Sequence, residues 1–324
     1  MGRRIMVCLV LGGCGFQGNA AGDGGAPGDG GVDAPGIDAA IDGPTSCWQR
    51  WYNHQPQLGD PAKLMELSTG ASERDPWISH DGLRLYFARD PGSRGKGDIY
   101  LATRAVPRGP FSLAMEQGNL DNTSDETRAA LTDDELTLVL ASNRDDDVNR
   151  IFITTRGTPT EPFGTPTRDL LDAVNGAPTD QTEHLDPFLT NDGKTLYFAP
   201  DPPTSERQHI WFATRPETNK PFGPPGKVPV INGNATQDGD ADPALSPDEL
   251  VIVFSSTRPN GVGAGDLYYA TRSVKTANFG GPQLIPGVNS NSDDGDPILS
   301  SDGCELYFAS TRQGNFDLYV ARSP

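Results

Sequence analysis

The chain has 324 residues, with 26 Lys and Arg against 44 Asp and Glu, a formal charge of −18; 35% are apolar, and 38 Gly with 29 Pro make up about a fifth. Such a Gly and Pro share argues against a helical bundle and for short strands joined by turns. The acid surplus excludes a phosphate-tracking surface, so no nucleic-acid partner is expected, and no apolar run reaches the ~20 residues of a spanning helix.

Residues 1–13 join a basic start (Arg3, Arg4), an apolar stretch from Ile5 to Leu11 and two glycines, the pattern of a secretory signal. Leu11-Gly12-Gly13-Cys14 resembles the lipobox of bacterial lipoproteins. The resemblance implies cleavage before Cys14, diacylglycerol on its thiol and, because Gly15 rather than an Asp follows, the outer membrane. Whether the lipid sits on the periplasmic or the surface side stays open. Plain export with cleavage after Gly18-Asn19-Ala20 is the alternative. Residues 14–46 then form a tether. From Gln17 onward they are nearly all Gly, Ala, Asp and Pro without an aromatic residue, a composition too poor in apolar surface to offset its ordering entropy.

Residues 47–324 repeat one pattern five times. The turn Ser79-His80-Asp81-Gly82 recurs with its acid at Asp134, Asp192, Asp248 and Asp302, at intervals of 53 to 58 residues. Before each turn lies a short strand, as in Asp296-Pro-Ile-Leu-Ser300, with Pro where no ladder bond is lost. After it comes an apolar strand, as in Leu306-Tyr-Phe-Ala309, whose continuous hydrophobicity implies burial on both faces. A third strand (Leu318-Tyr-Val-Ala321) and a fourth after a Phe-Gly corner (Gln283-Leu-Ile-Pro286) complete the unit. Four antiparallel strands repeated at this period predict an all-β, five-bladed β-propeller.

The pattern Asp-Pro-x-Leu-Ser-x-Asp-Gly-x-x-Leu-Tyr-Phe-Ala resembles the WD40-like propeller repeats of the TolB type, from about Leu58 to the end of the chain. The fifth copy matches best and the second, which lacks Asp-Pro and Asp-Gly, matches least. The last copy stops after its third strand, while Leu58–Met65 matches the fourth-strand segment Phe163–Leu170. The N-terminal segment is therefore expected to complete the last blade. Ring closure would also bring Cys47 near Cys304, so a disulfide is expected in the oxidising compartment that a signal peptide implies. The alternative is two free thiols.

Catalytic signatures are absent: there is no His-Glu-x-x-His, Gly-x-Ser-x-Gly, phosphate loop or zinc-spaced cysteine pair. The informative residues are acidic. Asp75, Arg128, Asp186, Asp242 and Asp296 stand before the innermost strands, with Glu73, Glu126, His184, Asp240 and Asp294 two places earlier. All ten are expected to ring one mouth of the central channel. Such a rim would recruit a cation, Ca²⁺ included, or a basic segment of a partner; otherwise the acids cap loops or pair with Arg144, Arg258 and Arg312. The irregular loop Pro200–Arg207 lies on the same face. The function expected is a monomeric, lipid-anchored envelope scaffold that binds a protein or basic peptide, with no cofactor and no catalysis. The alternative is a propeller that binds or hydrolyses glycans through Asp75, Asp186, Asp242 and Asp296.

Overall fold

The computed structural model describes residues 46–91, 97–177, 181–233 and 238–324; Cys14, the signal and the tether lie outside the described residues. The chain enters through a short helix, α1 (Cys47–Tyr52), capped by the Ser46 hydroxyl, and a two-residue strand, β1 (Ala62–Lys63). Blade one follows as β2 (Ser72–Ile78), β3 (Arg84–Asp90), β4 (Asp98–Thr103) and β5 (Met115–Glu116). Blade two is β6 (Glu126–Leu131), β7 (Thr137–Ser142) and β8 (Arg150–Thr155), with the helical turn α2 (Asp172–Asn175) behind it. Blade three is β9 (Glu183–Leu189), β10 (Thr195–Asp201), β11 (Trp211–Thr214) and β12 (Gly226–Lys227). Blade four is β13 (Asp240–Leu245), β14 (Val251–Ser256), β15 (Asp266–Thr271) and β16 (Gln283–Leu284). Blade five is β17 (Asp294–Leu299), β18 (Glu305–Ser310) and β19 (Asp317–Arg322), closed by β1.

These five antiparallel sheets form a five-bladed β-propeller. Closure runs as the sequence implies: Ala62 pairs with Val320 and Lys63 with Tyr319, which covers the edge that blade five would otherwise expose. The fourth strand of blade two is reduced to a single bridge, Ile153 with Thr167. The helix α1 binds this junction. Trp48 and Trp51 donate their indole N–H groups to the Ser301 and Gly303 carbonyls, both at 2.9 Å, and Cys47 is disulfide-bonded to Cys304 with 5.2 Å between their Cα atoms.

The repeated turn has a local cause. Its first residue, Ser or Thr, donates to the Asp two places on, from Ser79 to Asp81 (2.7 Å) through to Ser300 to Asp302 (2.6 Å). That Asp then accepts an N–H just beyond it, as from Leu83 at 3.0 Å. The next residue is left-handed, with φ of +67° at Gly82 and Gly193 and +70° at Gly303. Blades two and four place Glu135 (φ +57°) and Glu249 (φ +60°) there, at a strain cost that only a glycine avoids. Both glutamates are held by cations, Glu135 by Arg84 and Arg156, and Glu249 by Lys275. The apolar second strands bury Leu85, Phe87, Leu138, Phe198, Phe254 and Phe308, so the core lies between the faces of neighbouring blades.

Candidate functional site

Each innermost strand is bulged one residue before or at its Pro position, and the residue there is left-handed: Asp75 (φ 55°), Arg128 (φ 47°), Asp186 (φ 54°), Asp242 (φ 55°) and Asp296 (φ 55°). Asp tolerates this region better than most residues, because its short carboxylate bonds locally. The bulge turns these five side chains inward, where they form the floor of the channel mouth.

The carboxylates first act as a clasp between blades. Asp75 accepts the main-chain N–H of Arg128 (3.3 Å), Asp242 that of Asp296 (3.2 Å), and Asp296 that of Asp75 (3.3 Å). Asp186 accepts the N–H of Asp242. The ring of clasps is interrupted at Arg128, which has no carboxylate to offer Asp186. Arg128 instead extends its guanidinium over the floor, 3.8 Å from Asp75 and 3.9 Å from both Asp242 and Asp296, and donates to the Pro243 carbonyl. Oxygens of Asp75, Asp186 and Asp242 lie within 4.8 Å of one another, a donor set with the chemistry of a divalent-cation site. Arg128 supplies positive charge to the same floor, 3.8–3.9 Å from three of its carboxylates.

Burial and mutual charge divide the protons among these acids. Burial disfavours ionised Asp242, but the Arg128 charge, the Ser255 hydroxyl and hydrogen bonds from Asp296 outweigh it and hold this carboxyl below the usual range. Asp186 is pushed well above that range by burial and then by the charges of Asp242 and Asp75. Asp296 is pushed well above it by burial and by the charges of Asp75 and Asp242. Asp75 rises as well, with burial opposed by Arg128. The acids of one floor are thus shifted in opposite directions, the pattern from which acid and base pairs are made.

The second set of acids is placed differently from the expectation that it rings the mouth. Glu73, Glu126, Asp240 and Asp294 are fully buried and paired within their own blades. Arg89 meets Glu73 at 2.9 Å, Arg144 meets Glu126 at 3.1 Å, Arg312 meets Asp294 at 2.6 Å, and Arg258 bonds Asp240. The reason is geometric: the left-handed residue breaks the alternation of the strand, so residues two apart do not share a direction. His184, the fifth member, packs its ring against Phe198 and meets Arg150 Nη1 at 3.4 Å. The wall is built in part by the intervening residues Arg74, Thr127, Leu185, Ala241 and Gly295, which the sequence pattern did not single out. Arg74 stacks on Phe316, 3.6 Å from its ring centre. The cavity above the floor measures about 360 Å³.

At the far end of the channel the space shrinks to about 30 Å³ between Trp77, Phe188, Leu245 and Ile298. The turn residues there bind one another: His80 Nδ1 lies 3.1 Å from Asp133, Asn191 donates to Asp133 (2.7 Å), and Ser301 donates to the His80 carbonyl (2.6 Å). The channel therefore has one usable mouth.

No protein-family model and no curated protein matches this sequence. Solved structures do match in shape. One described as a glycoside hydrolase aligns with a TM-score of 0.60 at 12% identity, over 85% of this chain and 94% of that one. The catalytic domain of the Coprinopsis cinerea GH62 α-L-arabinofuranosidase aligns with a TM-score of 0.57 at 10% identity, over 82% and 96%. TolB from Acinetobacter baumannii aligns with a TM-score of 0.44 at 15% identity, over 79% and 55%. At such identities the likeness is one of fold.

Proposed function

We propose that this propeller takes a glycan into the channel mouth, above the floor of Asp75, Asp186, Asp242 and Asp296. The observation that carries the reading is the geometry of the floor: oxygens of Asp75, Asp186 and Asp242 lie within 4.8 Å of one another at the foot of a cavity of about 360 Å³, with Asp242 held below the usual carboxylate range and Asp186 pushed well above it. Neutral carboxyls donate and carboxylates accept, which suits the mixed hydroxyls of a sugar ring. The same division is what hydrolysis requires, with Asp186 as proton donor and Asp242 as nucleophile. Oxygens no more than 4.8 Å apart are near the ~5 Å separation of retaining glycosidases and too close for an intervening water. The fold neighbours whose printed activity is glycoside hydrolysis support this reading.

The test is a calorimetric screen of neutral oligosaccharides, with aryl glycosides as reporters of cleavage. Binding that falls at least about tenfold in Asp242→Asn supports the proposal. A panel that finds no sugar bound, or binding unmoved by that substitution, overturns it.

A second reading is favoured by the charge around the mouth, where Asp201 and Asp293 join the floor acids against Arg74. In it, the chain is a lipid-anchored envelope scaffold whose mouth holds a basic segment of a partner protein. Salt decides between the two readings: a cationic peptide would be released between low and high ionic strength, whereas a neutral glycan would not.

A further inference from the structure

Blades one to four each hold one arginine against the hairpin turn, at the end of the channel away from the mouth. Arg104, Arg156, Arg215 and Arg272 stand 4.6, 4.2, 4.5 and 4.4 Å from the rings of Phe111, Phe163, Phe222 and Phe279. Each donates from Nε to a main-chain carbonyl of its own turn: Gly82, Glu135, Gly193 or Glu249. Three of the four also have a carboxylate. Arg156 Nη2 lies 3.2 Å from Glu135 and Arg272 Nη2 3.5 Å from Glu249, each a glutamate in the left-handed position of its turn. Arg104 Nη2 lies 3.4 Å from Glu305 of blade five and 3.1 Å from the Tyr307 hydroxyl.

Arg215 of blade three has none of these partners. The left-handed position of its turn is Gly193. Register puts Thr137 of blade two where blade five has Glu305, because Thr137 pairs with Thr155 as Glu305 does with Arg322, and Val139 where blade five has Tyr307. Arg215 is 5% exposed, and its Nη1 is buried without a hydrogen-bond partner. Burial pushes the guanidinium below its usual value, against the charge of Asp192, whose carboxylate accepts from the Thr190 hydroxyl and the Lys194 N–H. Arg215 lines a cavity of about 400 Å³ at the seam with blade two, where Thr137, Thr218 and Asn219 add hydroxyl and amide donors. Asp169, which also lines it, is exposed and forms no ion pair with Arg215 among the described residues.

A Cβ at position 193 would lie 3.6 Å from Arg215 Nη2, so the place that a glutamate side chain takes in blades two and four opens onto this guanidinium. With Nε committed to the Gly193 carbonyl, the two terminal nitrogens form the free edge of the fork, which a planar carboxylate engages with both oxygens. We infer that the seam between blades two and three is a second binding site, which takes a small organic carboxylic acid and seats its carboxylate on Arg215 where the other seams place a glutamate. The site lies at the turn end of the channel, so it stands apart from the glycan reading of the mouth.

The experiment is calorimetry on the full chain in detergent, titrated with glutarate, whose carboxylate sits on the same stem as a glutamate side chain, with its neutral diamide and with sulfate. Glutarate is expected to bind at least about tenfold more tightly than either of the others. Gly193→Glu gives blade three the glutamate that blades two and four already carry at a similar positive φ. In that variant glutarate binding is expected to disappear while the melting temperature is kept or raised. Arg215→Met is expected to lose glutarate binding as well. A natural chain that binds no glutarate overturns the inference, as does binding that survives either variant or is matched by the diamide. Sulfate bound as tightly as glutarate overturns the assignment to a carboxylate. Neutral oligosaccharides and Asp242→Asn report on the mouth, so failure of this site and failure of the mouth are read apart.

Discussion

Arg128 grips Asp75 twice: its main-chain N–H donates to one carboxylate oxygen at 3.3 Å, while its guanidinium lies 3.8 Å from the other. The one residue that breaks the acidic ring is thus also the charge that lets the ring exist. Arg128→Met should cost about 3–5 kcal/mol near neutral pH, the usual penalty for leaving buried charges unpaired. The sign of its pH dependence follows from Asp186 and Asp296, whose folded pKa values already lie well above their unfolded ones. Such groups favour folding at low pH, and the benefit is lost as pH rises from the unfolded value towards the folded one. Without Arg128 the loss should steepen, so urea melts at pH 5 and pH 8 should diverge more than in the natural chain.

Asp121 occupies a place that Asn175, Asn232 and Asn289 hold in the later blades. Each of those asparagines accepts a strand N–H and returns an amide N–H to the same residue's carbonyl, as Asn232 does with Ile210. Asp121 accepts from Ile99 at 2.9 Å, but its buried second oxygen is left without a partner. Burial, then the charges of Asp98, Glu126 and Glu116, push its carboxyl up to about 7. Asp121→Asn should therefore stabilise the fold by about 1–2 kcal/mol above pH 7, a figure discounted for partial exposure. The gain should shrink as pH falls from 7 and vanish below about pH 3, where the natural carboxyl is neutral in both states. Equal melting temperatures for the two chains at pH 8 would contradict this.

The Cys47–Cys304 bridge ties the entry helix to the last blade across 257 residues of sequence. Reduction, or the double substitution to Ala, should cost about 2–5 kcal/mol. Because Trp48 and Trp51 still hydrogen-bond to blade five, the reduced chain should remain folded at room temperature. Thermal melts with and without dithiothreitol measure the difference.

Lipidation of Cys14 is a proposal that the fold leaves independent. Metabolic labelling with palmitate should mark the natural chain and leave Cys14→Ser unlabelled. The variant should also leave the detergent phase in Triton X-114 partitioning. Label retained in the variant would reassign the anchor.

The sequence by itself determined the architecture, because the turn and the apolar second strand are local devices repeated in register. Ser79 with Asp81 and Gly82 closes its hairpin without help from another blade. The closing strand was legible for the same reason: Leu58–Met65 reads like a fourth strand placed before the first. What the tertiary structure alone decided is the direction of each acid. Asp75 and Glu73 are two residues apart, yet the left-handed bulge sends one to the channel floor and the other to Arg89. Arg128 reads in sequence as a defect in an acidic ring, and only the convergence of five blades brings its charge within 4 Å of three carboxylates. Direction and convergence depend on how the blades pack, and long-range electrostatics leaves no trace in the spacing of residues along one strand.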